Sequence, residues 1–533
     1  MRLSTEYCII GSGFAGGIVA CELLKGGVKE VVMVEAGAPV LMRDRRKWYE
    51  YVSTGVKPYK HTYDLRSEYT NAGSCAYPLR ASRMWARGGT LRWTGHSFRM
   101  KPEDFFLKTN TGKGVDWPIT YDDLEQYYTL AEVTLQVAGE AQDAGRPPRS
   151  GPFPLPAFPY ASSDRVYLQA MDDLGISYQH NCISRNSRSI NCAPKCRTVG
   201  TCEYCPEGAR FTGDQLIDYI DTMPDFTILT STSGLRLRFA RKSRAHSLEV
   251  FVQPTGELGV IEAEKFIVCC GGIESPKLLL ASSNRYWEYG VGNDLGYVGK
   301  FFTEHPGITC TGLLESFIRS PETESLYNTA CSRHFDSYEH QSTGKFLIEV
   351  IDVRDYDLAA RIEEGMSFEE IEKDIASGLP LALGALIESI PRKENSVQLG
   401  KGKNRFFIPN TSIDFSLDTT TMESMKHAHA VLSQILTKIG CHHVSSTLSL
   451  WWARHHMGTC RMAKDPSAGV VDENLRVHDT ENVYVCSSAV FPTCGSANPT
   501  LTIAALAHRL GRHLVNSDAS AHTEMSKLEE RTD

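Results

Sequence analysis

The segment EYCIIGSGFAGGIVACELLKGGVKEVVMVEAG (Glu6–Gly37) constrains the fold more than any other part of the chain. Tyr7–Ile10 form a short apolar run, Ile18–Leu24 carry helical apolar spacing, and Val31–Val34 form a second apolar run ending at Glu35. That pattern predicts strand, turn, helix, strand. Gly11, Gly13 and Gly16 place G-x-G-x-x-G at the first junction. The first glycine allows a tight turn, the second lets backbone approach a pyrophosphate, and the third lets helix pack on strand. The helix N-terminus offers unpaired N–H groups to phosphate, and Glu35 stands where a carboxylate can accept both ribose hydroxyls. A glutamate there suits the unphosphorylated ribose of FAD or NAD rather than NADP. The motif by itself leaves FAD and NAD open.

A chain of 533 residues is too long for one core and should form two or more large, interleaved units. With 41% hydrophobic and 23% charged residues it has the composition of an ordinary globular protein. A net charge of -8 argues against nucleic acid or an anionic membrane as the main partner. No apolar run reaches the length of a transmembrane helix, so no membrane insertion is expected. The opening MRLSTEYCIIGSGFAGG passes directly into a strand, without the apolar stretch and cleavage site of a signal peptide. The expected location is therefore cytoplasmic, although export on a partner's signal would leave no trace here.

Three further segments narrow the choice of cofactor. RMWARGGTLRWTGHSFRM (Arg83–Met100) has a paired-glycine turn followed by an aromatic and another glycine. EKFIVCCGGIESPKLLLASS (Glu264–Ser283) reads as apolar strand, Gly271-Gly272 turn and amphipathic helix. The third block is HHMGTCRM (His455–Met462) followed by GVVDENLRVHDTENVYVCSSAVFPTCGSANPTLTIAALAHRL (Gly469–Leu510). With the N-terminal cradle, these resemble the signature blocks of the glucose–methanol–choline family of FAD-dependent oxidoreductases. They stand in the family's order over nearly the whole chain, nearest in character to bacterial sugar and polyol dehydrogenases with a cysteine-rich segment.

The resemblance implies an α/β fold, a Rossmann-like FAD-binding domain interleaved with an α+β substrate domain built on an antiparallel sheet. The flavin domain would take residues 1–100, 191–299 and 451–515, and the substrate or cap domain 101–190 and 301–450. Residues 516–533 would be a polar, frayed tail. The residues themselves agree that the chain changes character in the middle. Phe346–Val353 and Phe406–Phe415 read as strands, and Ser367–Ser377 as an acidic helix.

The resemblance also implies the chemistry. Family members oxidise a primary or secondary alcohol by passing hydride to flavin N5 while a base removes the hydroxyl proton. The family's base is a histidine three residues before the glycine of H-x-x-G-[TG]-C. Gly458-Thr459-Cys460 match, so the role falls on His455. The second active-site residue, histidine or asparagine in the family, corresponds to Asn498 in SANPTLT. A near-neutral imidazole suits a base that must reset each turnover, and a carboxamide can hold the substrate oxygen without competing for the proton. His456, the neighbour in an extended segment, is expected to face the other way, into packing.

The flavin is expected on Gly11, Gly13, Phe14, Ala15, Gly16, Glu35 and Ala36 of the cradle, and on Arg83, Gly88, Gly89, Thr90 and Gly95 of the second block. Gly271, Ala489, Asn498, Pro499 and Thr500 complete the implied set. Some relatives carry a flavin-linking histidine two residues after the threonine. Arg92 stands there, so FAD is expected to be non-covalent. His305, in TEHPG, matches a structural signature of the family and is expected either to support the site from behind or to pack in the core. Trp451 and Trp452 are candidates for stacking on a sugar ring or for core packing.

Sixteen cysteines are many, yet they are not spaced like a secreted disulfide scaffold, and most read as small buried hydrophobes. The exception is NCAPKCRTVGTCEYCPEGARFTGD, where Cys192, Cys196, Cys202 and Cys205 are spaced x3, x5 and x2. Such a run resembles an iron–sulfur ligand set, with zinc as competitor and disulfides or free thiols as further readings. A cluster would relay electrons to an external acceptor, whether protein, quinone or oxygen. The expected function is FAD-dependent oxidation of a sugar, polyol or aminosugar alcohol, as a dehydrogenase rather than an oxidase. The alternatives on the same fold are an oxygen-using alcohol oxidase and a hydroxynitrile-lyase-type enzyme. Specificity should lie in 301–450, where no motif names a substrate.

Overall fold

Strand β1 (Arg2–Ile10) is buried on both faces from Tyr7 to Ile10, which gives it a central place in its sheet. The computed structural model describes residues 1–39, 44–54, 68–75, 77–78, 88–91, 93–161, 163–190, 193–197, 204–315, 329–338, 344–351, 365–370 and 379–529. After β1 the chain turns at Gly11–Gly13 into α1 (Phe14–Lys25) and returns as β2 (Val31–Val34), parallel to β1 with Tyr7 opposite Val31 and Ile10 opposite Val34. All four residues of β2 are buried, each contributing roughly 1.5–3 kcal/mol of apolar burial.

The rest of this sheet comes from far along the chain. β3 (Phe226–Leu229) adds in parallel outside β2. β4 (Thr232–Arg241), β5 (Arg244–Val252) and β6 (Glu257–Val268) are antiparallel neighbours, and β6 runs back parallel to β1. The order is β3-β2-β1-β6-β5-β4. Directly after β6, α2 (Gly271–Ala281) starts beside the glycine turn.

A second sheet is antiparallel throughout. β7 (Pro306–Leu314), β8 (Ala330–Ser332), β9 (Phe346–Ile351) and β10 (Leu379–Ile387) are crossed by α3 (Thr419–Ile439), and β11 (Ser449–Trp452) closes the edge. The order is β11-β7-β10-β9-β8, with Gln179–His180 beyond β8. Met425, Ala428, Leu432, Ile435 and Leu436 recur at helical spacing on α3 and bury against Ile308, Ile348, Leu383 and Ala385. Asp418 caps α3 by accepting from Thr421 N, and Gly440 ends it at φ +95°.

The chain then rejoins the first sheet. β12 (Val483–Val485) pairs with the end of β6, and α4 (Thr500–Glu529) packs along α1. The polar tail expected to fray instead continues α4 as far as Glu529. Asp518 anchors it, accepting from Lys265 Nζ at 2.5 Å and from the Tyr7 hydroxyl. The acidic helix read over Ser367–Ser377 falls largely outside the described residues, which show helix only over 368–370.

Candidate active site

The glycine turn is shaped by the absence of side chains. Gly11 holds φ +103°, and a Cβ there would lie 2.6 Å from Cys269 O. A Cβ on Gly16 would overlap Gly11 O, and one on Gly88, at φ +78°, would lie 2.9 Å from Gly13 Cα. Helix α1 begins at this turn without a capping side chain or an acidic residue in its first turn. Its leading N–H groups and positive dipole end are thus available to an anion. Glu35 is buried, and its Oε2 accepts from Ser12 N at 3.0 Å and Ser12 Oγ at 2.6 Å, while Oε1 accepts from Gly37 N at 2.6 Å. Those bonds fix the carboxylate at the end of β2.

A cavity of about 530 Å³ joins this turn to the histidine pair. Gly11, Gly13, Phe14, Ala15, Glu35, Ala36, Gly88, Gly89, Thr90 and Gly271 line it, together with His455, Asn498, Pro499 and Thr500. Three expected contacts stand outside that lining. Gly16, in the first turn of α1, faces Gly11 and Ile9, Gly95 backs onto Ile183, and Ala489 is buried with its carbonyl accepting from Cys460 N. Arg83 and Arg92 lie outside the described residues, as do Cys192 and Cys202. Cys196 and Cys205 are half-buried, and among the described residues no group of three or more His, Cys, Asp or Glu could hold a metal. The side-chain-free turn, the fixed Glu35 and the uncapped helix fit a dinucleotide.

The histidines are positioned from the second sheet. β11 pairs with the start of β7, Trp452 opposite Pro306 and Trp451 opposite Gly307, which brings His455 beside His305. His305 Nε2 lies 2.9 Å from Gly495 O, a carbonyl that can only accept, so Nε2 carries the hydrogen. Burial pushes the His305 pKa down to about 4, so near neutral pH the ring is neutral and its Nδ1 is bare. His455 Nδ1 lies 2.8 Å from that nitrogen and must donate to it. The tautomer of His455 is thereby set, with its hydrogen on Nδ1 and a lone pair on Nε2. Burial, then the charges of His305, His456 and His96, hold the His455 pKa well below its ordinary value.

Glu304 supports this arrangement from beneath. It is fully buried; its Oε1 accepts from His305 N at 2.9 Å and His455 N at 2.6 Å, and its Oε2 accepts from the Tyr77 hydroxyl. Burial raises its pKa to about 7 against the opposing pull of these hydrogen bonds. His455 and His456 both line the cavity. The His456 ring still packs against Tyr77 and Phe302, with centroids 5.8 and 5.9 Å apart. Burial, then Arg454, lowers its pKa to about 3.

Several polar atoms of cavity-lining residues are buried without a hydrogen-bond partner: Asn498 Oδ1, Trp451 Nε1, His456 Nε2 and His96 Nε2. The sequence reading missed His96, Trp93 and Glu304. His96 sits in the GHS that follows the second glycine block, while Glu304 is the residue before the singled-out His305. Neither carries a spacing signal of its own.

Comparison with known proteins agrees with this geometry. Residues 116–307 and 391–507 match the two family models described as GMC oxidoreductase. The chain is 27% identical over 550 aligned residues to the fructose dehydrogenase large subunit of Gluconobacter japonicus, covering 96% of this chain and 98% of that protein. It is also 27% identical to 6'''-hydroxyparomomycin C oxidase of Streptomyces lividus, covering 97% of this chain and 93% of that one. Among solved structures it superposes on pyridoxine 4-oxidase from Mesorbium loti with a TM-score of 0.62 at 18% identity, covering 96% and 99%. A variant of Aspergillus oryzae RIB40 formate oxidase gives a TM-score of 0.68 at 16% identity, covering 98% and 99%; at these identities the two structures speak to the fold alone. Two family models in order, relatives aligned from end to end and a shared fold lead to one conclusion: the chain belongs to the GMC oxidoreductase family.

Proposed function

We propose that the protein oxidises a primary or secondary alcohol group of a sugar, polyol or aminosugar to the carbonyl. The observation that carries this reading is the His305–His455 hydrogen bond, which leaves His455 Nε2 with its lone pair in the cavity that also holds the glycine turn. The glycine turn and Glu35 would hold FAD without a covalent link, and the bound flavin would supply the acceptor for the hydride leaving the carbinol carbon. His455 Nε2 takes the hydroxyl proton as the C–H pair departs, so the substrate loses two hydrogens and gains its C=O bond. The low pKa of His455 keeps it unprotonated at neutral pH. Asn498 Oδ1, buried and unpartnered, can accept a hydrogen bond from the substrate. The substrate class follows relatives named for fructose, 6'''-hydroxyparomomycin C, paromamine and 2-methyl-1,2-propanediol.

Anaerobic mixing with a panel of sugars, aminosugars and simple alcohols tests this through loss of oxidised-flavin absorbance. His455→Ala should keep its flavin and slow the bleaching by about 10²–10⁴-fold. Bleaching at the wild-type rate would remove His455 from the mechanism.

A further inference from the structure

His96 lines the same cavity as His455 and Asn498 and is only 8% exposed. Its backbone is held by a bridge to Ile183, and its ring meets a carboxylate from the other sheet. His96 Nδ1 lies 3.1 Å from Glu349 Oε1 on β9 and 3.4 Å from Thr94 Oγ1. The contact to Glu349 is a close charge contact rather than an aligned hydrogen bond, but a bare Nδ1 lone pair would be repelled by a carboxylate oxygen at that distance, which favours the tautomer with its hydrogen on Nδ1 and its lone pair on Nε2. That Nε2 is buried with no hydrogen-bond partner. A buried acceptor left unpaired is costly, and such groups in a cavity are normally met by a ligand or an ordered water. The reaction as derived uses neither His96 nor Glu349.

We propose that His96, oriented by Glu349, is a specificity-determining residue whose Nε2 accepts a hydrogen bond from a second donor on the substrate, separate from the hydroxyl being oxidised. The substrate class is then a polyfunctional alcohol, with a neighbouring hydroxyl or ammonium group, rather than a simple monohydric one. Glu349 acts through His96 as a positioning residue. This inference rests on the proposed alcohol oxidation.

The test measures anaerobic flavin bleaching with four probes: 1-propanol, 1,2-propanediol, D-glucose and D-glucosamine. The wild type should show a kcat/KM at least tenfold higher for 1,2-propanediol than for 1-propanol. Faster reaction with D-glucosamine than with D-glucose would identify ammonium as the preferred donor, and the reverse would identify hydroxyl. His96→Phe should bring the diol-to-monool ratio to within about twofold of unity, chiefly by raising KM for the diol. His96→Gln, which still presents an acceptor, should keep most of the preference. Glu349→Gln should also keep it, whereas Glu349→Leu should lose it. A wild type without diol preference overturns the proposal even if no variant folds. So does a His96→Phe enzyme with an unchanged ratio, or one that loses both alcohols equally. If no alcohol bleaches the wild-type flavin, the functional reading itself fails; if all do and only the ratio stays fixed, the role of His96 alone falls.

Discussion

The glycine turn and the histidine chamber share one cavity, but they are built by different means. The turn is made of backbone, with Gly88 and Cys269 brought close against it, and Glu35 is fixed by Ser12 and Gly37. Its shape depends on what is missing, since a Cβ at Gly11, Gly16 or Gly88 would meet backbone atoms. The chamber is made of side chains that converge from distant segments: His305 on His455, Tyr77 on Glu304, and Glu349 on His96. Its properties depend on which nitrogen holds a proton. The turn should therefore be sensitive to added atoms, and the chamber to lost partners and to pH.

A single methyl group offers the sharpest way to break the turn alone. Gly11→Ala combines steric overlap at 2.6 Å from Cys269 O with an unfavourable positive φ. The cost should be about 3 kcal/mol, or roughly a 100-fold loss of flavin affinity. Titration of apoprotein with FAD checks it; unchanged affinity would mean that close backbone packing does not shape the nucleotide site.

The chamber should respond to a lost acceptor instead. Glu304→Leu leaves the buried N–H groups of His305 and His455 without their carboxylate, and should lower kcat about tenfold while flavin affinity stays within about twofold. Glu304→Gln retains an acceptor oxygen and should recover most of that rate. If both variants lose flavin rather than turnover, the two parts of the cavity are not separable in this way.

The chamber should also show itself in acid stability. His305 and His456 have folded pKa values near 4 and 3, below the ordinary 6.5, and His455 is lowered as well. Below pH 6.5 the unfolded chain binds protons that the folded chamber refuses, so stability falls with pH by up to ~1.4 kcal/mol per unit for each histidine. Glu304 works in the opposite sense. With its pKa raised from 4.5 to about 7, the folded state keeps a proton over that window which the unfolded chain loses. Three histidines against one carboxyl still leave the chamber destabilised between pH 6.5 and 4.5. His456→Phe removes one of them without removing a hydrogen bond and should flatten the dependence of Tm on pH. An unaltered slope would show that His456 titrates normally.

The turn was legible because its strand–glycine–helix–strand pattern is set by short-range sterics. Tyr7–Ile10, Gly11 and Val31–Val34 stand in the structure where their periodicity predicts them. Asn498 and His455 were found through motif spacing, and the fold brings both to one cavity. His456 was read as packing or support on the opposite face; its ring lies against Tyr77 and Phe302, and the residue also lines the cavity. His305 was read as packing or as a support behind the site. Its effect on the His455 tautomer depends on Gly495 O, which the fold alone brings to it. The helical course of α4 past Asn516 likewise depends on Tyr7 and Lys265, partners on the sheet beneath.

From sequence alone came the family, through the resemblance of its signature blocks, the interleaved architecture, and His455 as the histidine to examine. The tertiary structure decided which nitrogen of that histidine is free and what stands around it, including the His96–Glu349 pair. Hydrogen-bond direction and burial set a proton's position, and both depend on atoms that only folding brings together.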